Sequence, residues 1–130
     1  MAELIKGLHH AALNCTNVQD KERAVDFYVN VLGLRADRRS ENITMVDTGC
    51  GIIEIFANDK EDLPMGVVKH FALATDDTDA CVEAVKKAGY KVFDGPRDVC
   101  IPFDPPVPAR IAFMYGPLGE VIEFFQEKKS

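Results

Sequence analysis

Several kinds of protein are excluded by what this chain lacks. It has no C-x-x-C pairing: its four cysteines, Cys15, Cys50, Cys81 and Cys100, stand far apart. A zinc knuckle or dithiol motif is thereby excluded, and reduced, mostly buried thiols are expected. No apolar run approaches the roughly 18 to 20 residues needed to span a bilayer, and the first residues lack the basic-then-apolar layout of a signal peptide. The expected location is the cytoplasm. Cations are outnumbered, with 15 Lys and Arg against 21 Asp and Glu and a net charge of -6. Such a surface suits neither nucleic acid nor an anionic membrane, so the expected partner is a small-molecule substrate.

What remains is globular. Hydrophobic residues make up 47% of the 130 and charged residues 28%, the balance of one soluble domain without a linker. That domain, residues 1–130, carries an internal repeat at about 8–58 and 68–126. His10-Ala-Ala-Leu13 opens the first copy and His70-Phe-Ala-Leu73 the second, each in a run whose apolar residues suit a strand. A helix follows in each. In the first, near Asp20 to Leu32, residues Ala24, Phe27, Tyr28, Val31 and Leu32 fall on one face, with Gly33 as the stop. In the second, near Thr78 to Ala88, Cys81, Val82 and Val85 point inward, and Lys86 and Lys87 suit the dipole of the last turn. Hairpins close both copies: Ile43 to Asp47 with Gly51 to Phe56, then Arg110 to Tyr115 with Glu120 to Phe125. An α+β fold of paired β-α-β-β-β modules is the simplest account.

The closing strands carry a glutamate at the same place, Glu54 in Gly51-Ile-Ile-Glu-Ile-Phe56 and Glu123 in Glu120-Val-Ile-Glu-Phe-Phe125. Each shares its face with apolar neighbours two residues away, and a carboxylate on a covered face must be paired, protonated or bound to a cation. Only three histidines occur, His9, His10 and His70, and two of them open the two repeats. A lone strand histidine or glutamate is commonly structural, but four at matched positions make a His2Glu2 set for one divalent ion: Ni, Co, Zn, Fe or Mn. His9 is left aside, since its side chain is expected to face away from that of His10.

The long stretch Gly95 to Arg110 holds five prolines and reads as one irregular segment, a lid or binding loop. Arg97 and Arg110 are its candidates for an anionic substrate group, and Phe103 its candidate for covering the site.

In these segments, above all Ala24-Val-Asp-Phe-Tyr-Val-Asn-Val-Leu-Gly-Leu34 with its F-Y-x-x-x-L-G-L end, the chain resembles the vicinal oxygen chelate superfamily over nearly its whole length. That superfamily includes glyoxalase I, extradiol dioxygenases, methylmalonyl-CoA epimerase, fosfomycin-resistance enzymes and bleomycin-binding proteins. The resemblance implies a curled sheet around a metal cleft, a homodimer, and His10, Glu54, His70 and Glu123 as ligands. The complete His-Glu-His-Glu set is similar to that of glyoxalase I, which implies a metal-dependent lyase or isomerase acting on an α-hydroxy carbonyl or hemithioacetal through an enediolate. Glu123 would be the base, with Glu54 able to serve the other face of the substrate. Asn58 matches a glutathione-contacting asparagine, whereas Asn14 stands where glyoxalase I has a glutathione-holding arginine, so poor use of glutathione is expected. The same scaffold also serves metal-dependent epimerases and oxygenases and metal-free binding proteins.

Overall fold

The computed structural model describes residues 8–57, 66 and 68–128. The chain divides into two compact units, Met1–Leu63 and Pro64–Ser130. Each has one four-stranded sheet and one helix against it.

In the first unit β1 (His10–Asn14) leads to α1 (Val18–Asp26), which runs on into a π-helical turn at Phe27–Val31. Then come β2 (Arg35–Arg39), β3 (Ile43–Asp47) and β4 (Ile52–Phe56), in the sheet order β1-β4-β3-β2. The helix starts where Asn17 Oδ1 accepts the backbone N–H of Asp20 at 2.7 Å, which satisfies a donor the first turn leaves unpaired. Gly33 ends the element at φ 79°, in the left-handed region where a Cβ is disfavoured. The core lies on one side of the sheet, where Val46, Ile53 and Ile55 meet Ala24, Val25, Phe27 and Tyr28, all essentially inaccessible. One cation is buried there too. Lys21 Nζ donates to Ser40 O at 2.8 Å and Thr44 Oγ1 at 2.9 Å, and pairs with Glu22, so its charge is fully partnered.

The second unit repeats the plan: β5 (Phe71–Ala74), α2 (Thr78–Lys87), β6 (Val92–Ile101), β7 (Val107–Tyr115) and β8 (Val121–Glu127), in the order β5-β8-β7-β6. Both sheets pair the first strand parallel to the last and the rest antiparallel. Val82, Val85, Ala112, Met114, Ile122 and Phe124 form the core. Here α2 is tied down by Thr78, whose hydroxyl donates to Arg110 O at 2.8 Å. The expected α+β arrangement of paired β-α-β-β-β modules is what the chain adopts.

Two expectations need correction. The segment from Gly95 to Arg110 is no long loop: β6 and β7 form an extended hairpin, with Ile101 opposite Val107, and only residues 102–106 turn. Its prolines are tolerated because β6 is the edge of its sheet, with Pro96 inside a register shift between Asp94 and Arg97 and the others in or beside the turn. At the same shift, a Cβ on Gly95 would lie 2.6 Å from Ile111 O, and its φ is 89°, so both space and conformation require glycine. The thiols are also less buried than expected, since Cys50 and Cys100 are exposed. Among the described residues no helix is long and apolar enough to cross a membrane.

Candidate functional site

Strand alternation sends Ile53 and Ile55 into the core and therefore turns Glu54 to the opposite face, the one away from α1. Its register partners there are Ala12 on β1 and Met45 on β3, and His10 stands one step back along β1, opposite Ile52. The imidazole Nε2 of His10 lies 3.5 Å from Glu54 Oε1. The second unit does the same: Glu123 is opposite Ala72 and Phe113, and His70 Nε2 lies 3.0 Å from Glu123 Oε1. Both carboxylates are nearly closed off, at 8% and 7% exposure, while both imidazoles remain partly open to solvent.

These separations bear on metal binding. Two ligands on one ion, each bonded at about 2.1 Å, sit roughly 3.0 to 3.4 Å apart for angles between octahedral and tetrahedral. The second unit's nitrogen and oxygen, at 3.0 Å, have the spacing of two ligands on a common ion, and the first unit's, at 3.5 Å, lie just beyond it. Among the described residues, no group of three or more His, Cys, Asp or Glu side chains is gathered as a metal site.

The surroundings of the two pairs differ. His70 meets the ring of Phe113 edge-on, with centroids 5.2 Å apart, and Phe93 stacks on Tyr115 at 4.5 Å. Lys69, His70, Phe93, Asp94, Phe113 and Val121 line a hollow of about 420 Å³ beside the pair. Burial in this mostly apolar setting pushes the Glu123 carboxyl above its usual range, against the opposing pull of His70 and, more weakly, Arg97. On the first unit, His9 Nδ1 and His10 Nδ1 are 2.9 Å apart. The expectation that His9 faces away is therefore wrong: His9 precedes β1 and is free of its alternation. Either ring can donate in this contact; when His10 is the donor, its Nε2 keeps the lone pair a metal would need, the role an outer partner plays for a metal-bound histidine.

The other candidates are placed as follows. Asn14 ends β1 on the face of His10, and its buried Nδ2 has no hydrogen-bond partner. Asn58 lies outside the described residues. Arg97 stays on the Glu123 face, but its Nε and Nη2 donate to the two carboxylate oxygens of Asp94, at 2.8 and 3.1 Å. Arg110 is bound by Asp79 through two contacts of 2.9 Å and by Asp98 at 3.2 Å. It pairs with Gln126, whose side-chain oxygen accepts from Thr78 of α2, so it belongs to the helix-covered face. Phe103 is exposed in the hairpin turn. Because Phe113, not Val107, stands opposite Glu123, that turn lies about 20 Å along the strand from the carboxylate. Within its own unit Phe103 covers nothing at the pair. The aromatic wall of Phe93, Phe113 and Tyr115 was not marked in the sequence, although alternation along β7 puts Phe113 and Tyr115 on one face.

Comparison with known proteins agrees with this fold. A family model described as the Glyoxalase/Bleomycin resistance protein/Dioxygenase superfamily matches residues 7–124. Among solved structures, a glyoxalase family protein from Bacillus anthracis is similar at 22% identity and a TM-score of 0.74, covering 98% of this chain and 100% of that one. A glyoxalase/bleomycin resistance protein/dioxygenase from Alicyclobacillus acidocaldarius is similar at 19% identity and a TM-score of 0.66, covering 95% and 93%. The antibiotic-binding protein TnmS3 of a Streptomyces species is similar at 25% identity and a TM-score of 0.68, covering 98% and 100%.

Proposed function

Since the chain belongs to the glyoxalase/bleomycin resistance protein/dioxygenase superfamily, we propose that it is a metal-dependent lyase or isomerase of the glyoxalase I kind. Its substrate is an α-hydroxy carbonyl or hemithioacetal, and its working form is a homodimer. One observation carries this reading: each unit sets an imidazole Nε2 against a buried carboxylate oxygen, at 3.5 and 3.0 Å. His10, Glu54, His70 and Glu123 would hold one Ni, Co, Zn, Fe or Mn ion. When bound, that ion supplies Lewis-acid stabilisation of the negative charge that develops on the substrate oxygens.

The chain's own groups then have distinct tasks. Glu123 takes the proton from the carbon beside the carbonyl, leaving the electron pair in the enediolate, and returns a proton to the neighbouring carbon. Its burial beside Phe113 raises its affinity for a proton and so favours the transfer. Glu54 stands as the matching carboxylate for the opposite face of the substrate. His70, in contact with both Glu123 and Phe113, keeps the carboxylate oriented.

The test is metal titration followed by assay. Protein purified without chelator is expected to take up one divalent ion per four-ligand set, and to convert hemithioacetals or free α-hydroxy carbonyls only when loaded. A second reading is a metal-free binder of small molecules, favoured by the likeness to an antibiotic-binding protein and by the aromatic wall. If nickel, cobalt and zinc all fail to bind, that reading replaces the first.

A further inference from the structure

The chain has six arginines, and five of them are neutralised in place. Arg23 pairs with Asp20, Arg35 with Asp37, Arg39 with Glu22, Arg97 with Asp94, and Arg110 with Asp79 and Asp98. Arg38 has no carboxylate partner among the described residues. Among the described residues its one polar contact is from Nη1 to the thioether of Met45, at 3.8 Å.

Its position gives that freedom a meaning. Arg38 is the register partner of Met45, and Met45 is the register partner of Glu54, so all three side chains stand on the face that carries His10. Two strand spacings, about 10 Å, separate the backbone of Arg38 from that of Glu54. An arginine side chain spans much of this gap, and its stem rests on Met45 while the guanidinium stays in water. The guanidinium is a rigid fork that matches a carboxylate with two parallel hydrogen bonds. As the one arginine without a carboxylate partner among the described residues, Arg38 suits a single negative charge.

Resting on the reading given under Proposed function, we infer that Arg38 is a specificity residue that anchors a carboxylate carried by the substrate. The substrate class is thereby an α-hydroxy carbonyl or hemithioacetal bearing a monoanionic carboxylate. Arg38 replaces, from a different strand, the charge that Asn14 does not provide, and it does so where Arg97 and Arg110 are already occupied by aspartates.

The experiment compares two methylglyoxal hemithioacetals, one formed with 3-mercaptopropionate and the other with neutral 2-mercaptoethanol, on metal-loaded protein. The anionic adduct is expected to have the higher kcat/KM by roughly ten- to a hundredfold, the range for one charge-assisted contact, and the difference should lie in KM. In Arg38→Met the ratio falls to near one, and in Arg38→Lys, which keeps the charge without the fork, it is intermediate. An unchanged ratio in Arg38→Met, or no preference in the parent protein, overturns the inference. If neither adduct reacts, the lyase reading fails, and calorimetry with the monohydroxamate of glutaric acid against neutral pentanohydroxamic acid decides on Arg38 alone. Tighter binding of the anionic probe that vanishes in Arg38→Met upholds the assignment; equal binding, or none, refutes it.

Discussion

Across from Glu54 the neighbouring strand presents Met45, and across from Glu123 it presents Phe113. The two units share strand order, register and a His–Glu pair, yet this one position makes their faces unlike. In the second unit the aromatic ring leans on His70 and, with Phe93, lines a hollow beside the pair. In the first, the thioether supports a free guanidinium, and His10 is braced by a second histidine. A duplicated fold has thus kept its His–Glu pair in both halves while changing what surrounds it: an aromatic ring beside one pair, a thioether and an arginine on the face of the other.

The sharpest way to break this comparison is to remove each carboxylate's charge in turn. With Glu123 as the base, Glu123→Gln lowers kcat by about 10²- to 10⁴-fold at full metal occupancy, whereas Glu54→Gln costs less in kcat and shows mainly as weaker metal retention. Steady-state kinetics with metal content measured on the same samples checks both. Equal loss of kcat in the two variants would mean that the units do not differ in role.

A second difference lies behind the sheets. Helix α1 is fastened by the buried ammonium of Lys21, and α2 by the hydroxyl of Thr78. Lys21→Met leaves Ser40 O and the buried Thr44 hydroxyl without their donor, an expected loss of about 1.5 to 3 kcal/mol, while Thr78→Val is expected to cost about 0.5 to 1.5 kcal/mol. Urea unfolding of the two variants against the parent measures the order, which reverses if the lysine's own desolvation outweighs its bonds.

The third prediction exchanges the distinguishing residue itself. Phe113→Met gives the second unit the first unit's neighbour, removes the edge-on contact with His70, and loses about 0.5 to 1.5 kcal/mol of aromatic interaction. It also admits water around Glu123, whose carboxyl is raised chiefly by burial, so its midpoint moves down toward the ordinary glutamate range. Carbon-detected NMR titration of the metal-free protein reads this directly, and an unmoved midpoint would show that the ring is not what desolvates the carboxylate.

How much of this was legible in the sequence follows from where the information resides. His10, Glu54, His70 and Glu123 stood out because duplication repeats a local pattern, and strand period alone places Glu54 and Glu123 away from the core-facing isoleucines and phenylalanine. The edges were harder. Five prolines in Gly95 to Arg110 argue for a loop by local rules, but an edge strand needs only one side of its backbone for pairing, and Pro96 falls where the register already shifts. Arg38, in the run Arg35-Ala-Asp-Arg-Arg39, looks like any solvated charge until pairing shows that Met45 and Glu54 share its face. Arg97 and Arg110 looked equally free until the fold brought Asp94, Asp79 and Asp98 to them. Asp94 is only three residues from Arg97, but Asp79 and Asp98 reach Arg110 only through contacts across the fold, which local sequence does not show.

The smallest expected effect concerns that network, which in the second unit joins Arg110 of β7 to Asp98 of β6 and Asp79 of α2. Arg110 binds Asp79 and Asp98, and Lys128 also reaches Asp98, at 2.8 Å. Hydrogen bonds from Arg110 hold the Asp79 carboxyl below its usual range, and those from Lys128 and Arg110 do the same for Asp98. A carboxyl whose folded midpoint is depressed contributes stability that is fully present above its unfolded midpoint and lost as pH falls through the folded one. The window is therefore below about pH 4, the ordinary aspartate range, and neutral pH lies wholly on the stable side. Because these groups are open to solvent, salt screens them and the gain is modest. Unfolding midpoints measured between pH 2 and 5 should fall with acid in the parent protein and fall less steeply in Asp98→Asn, with the gap narrowing at high salt. Parallel pH profiles for the two proteins would show that Asp98 contributes nothing to holding the hairpin of β6 and β7, and the second unit would then lose the electrostatic feature that sets its outer strands apart from those of the first.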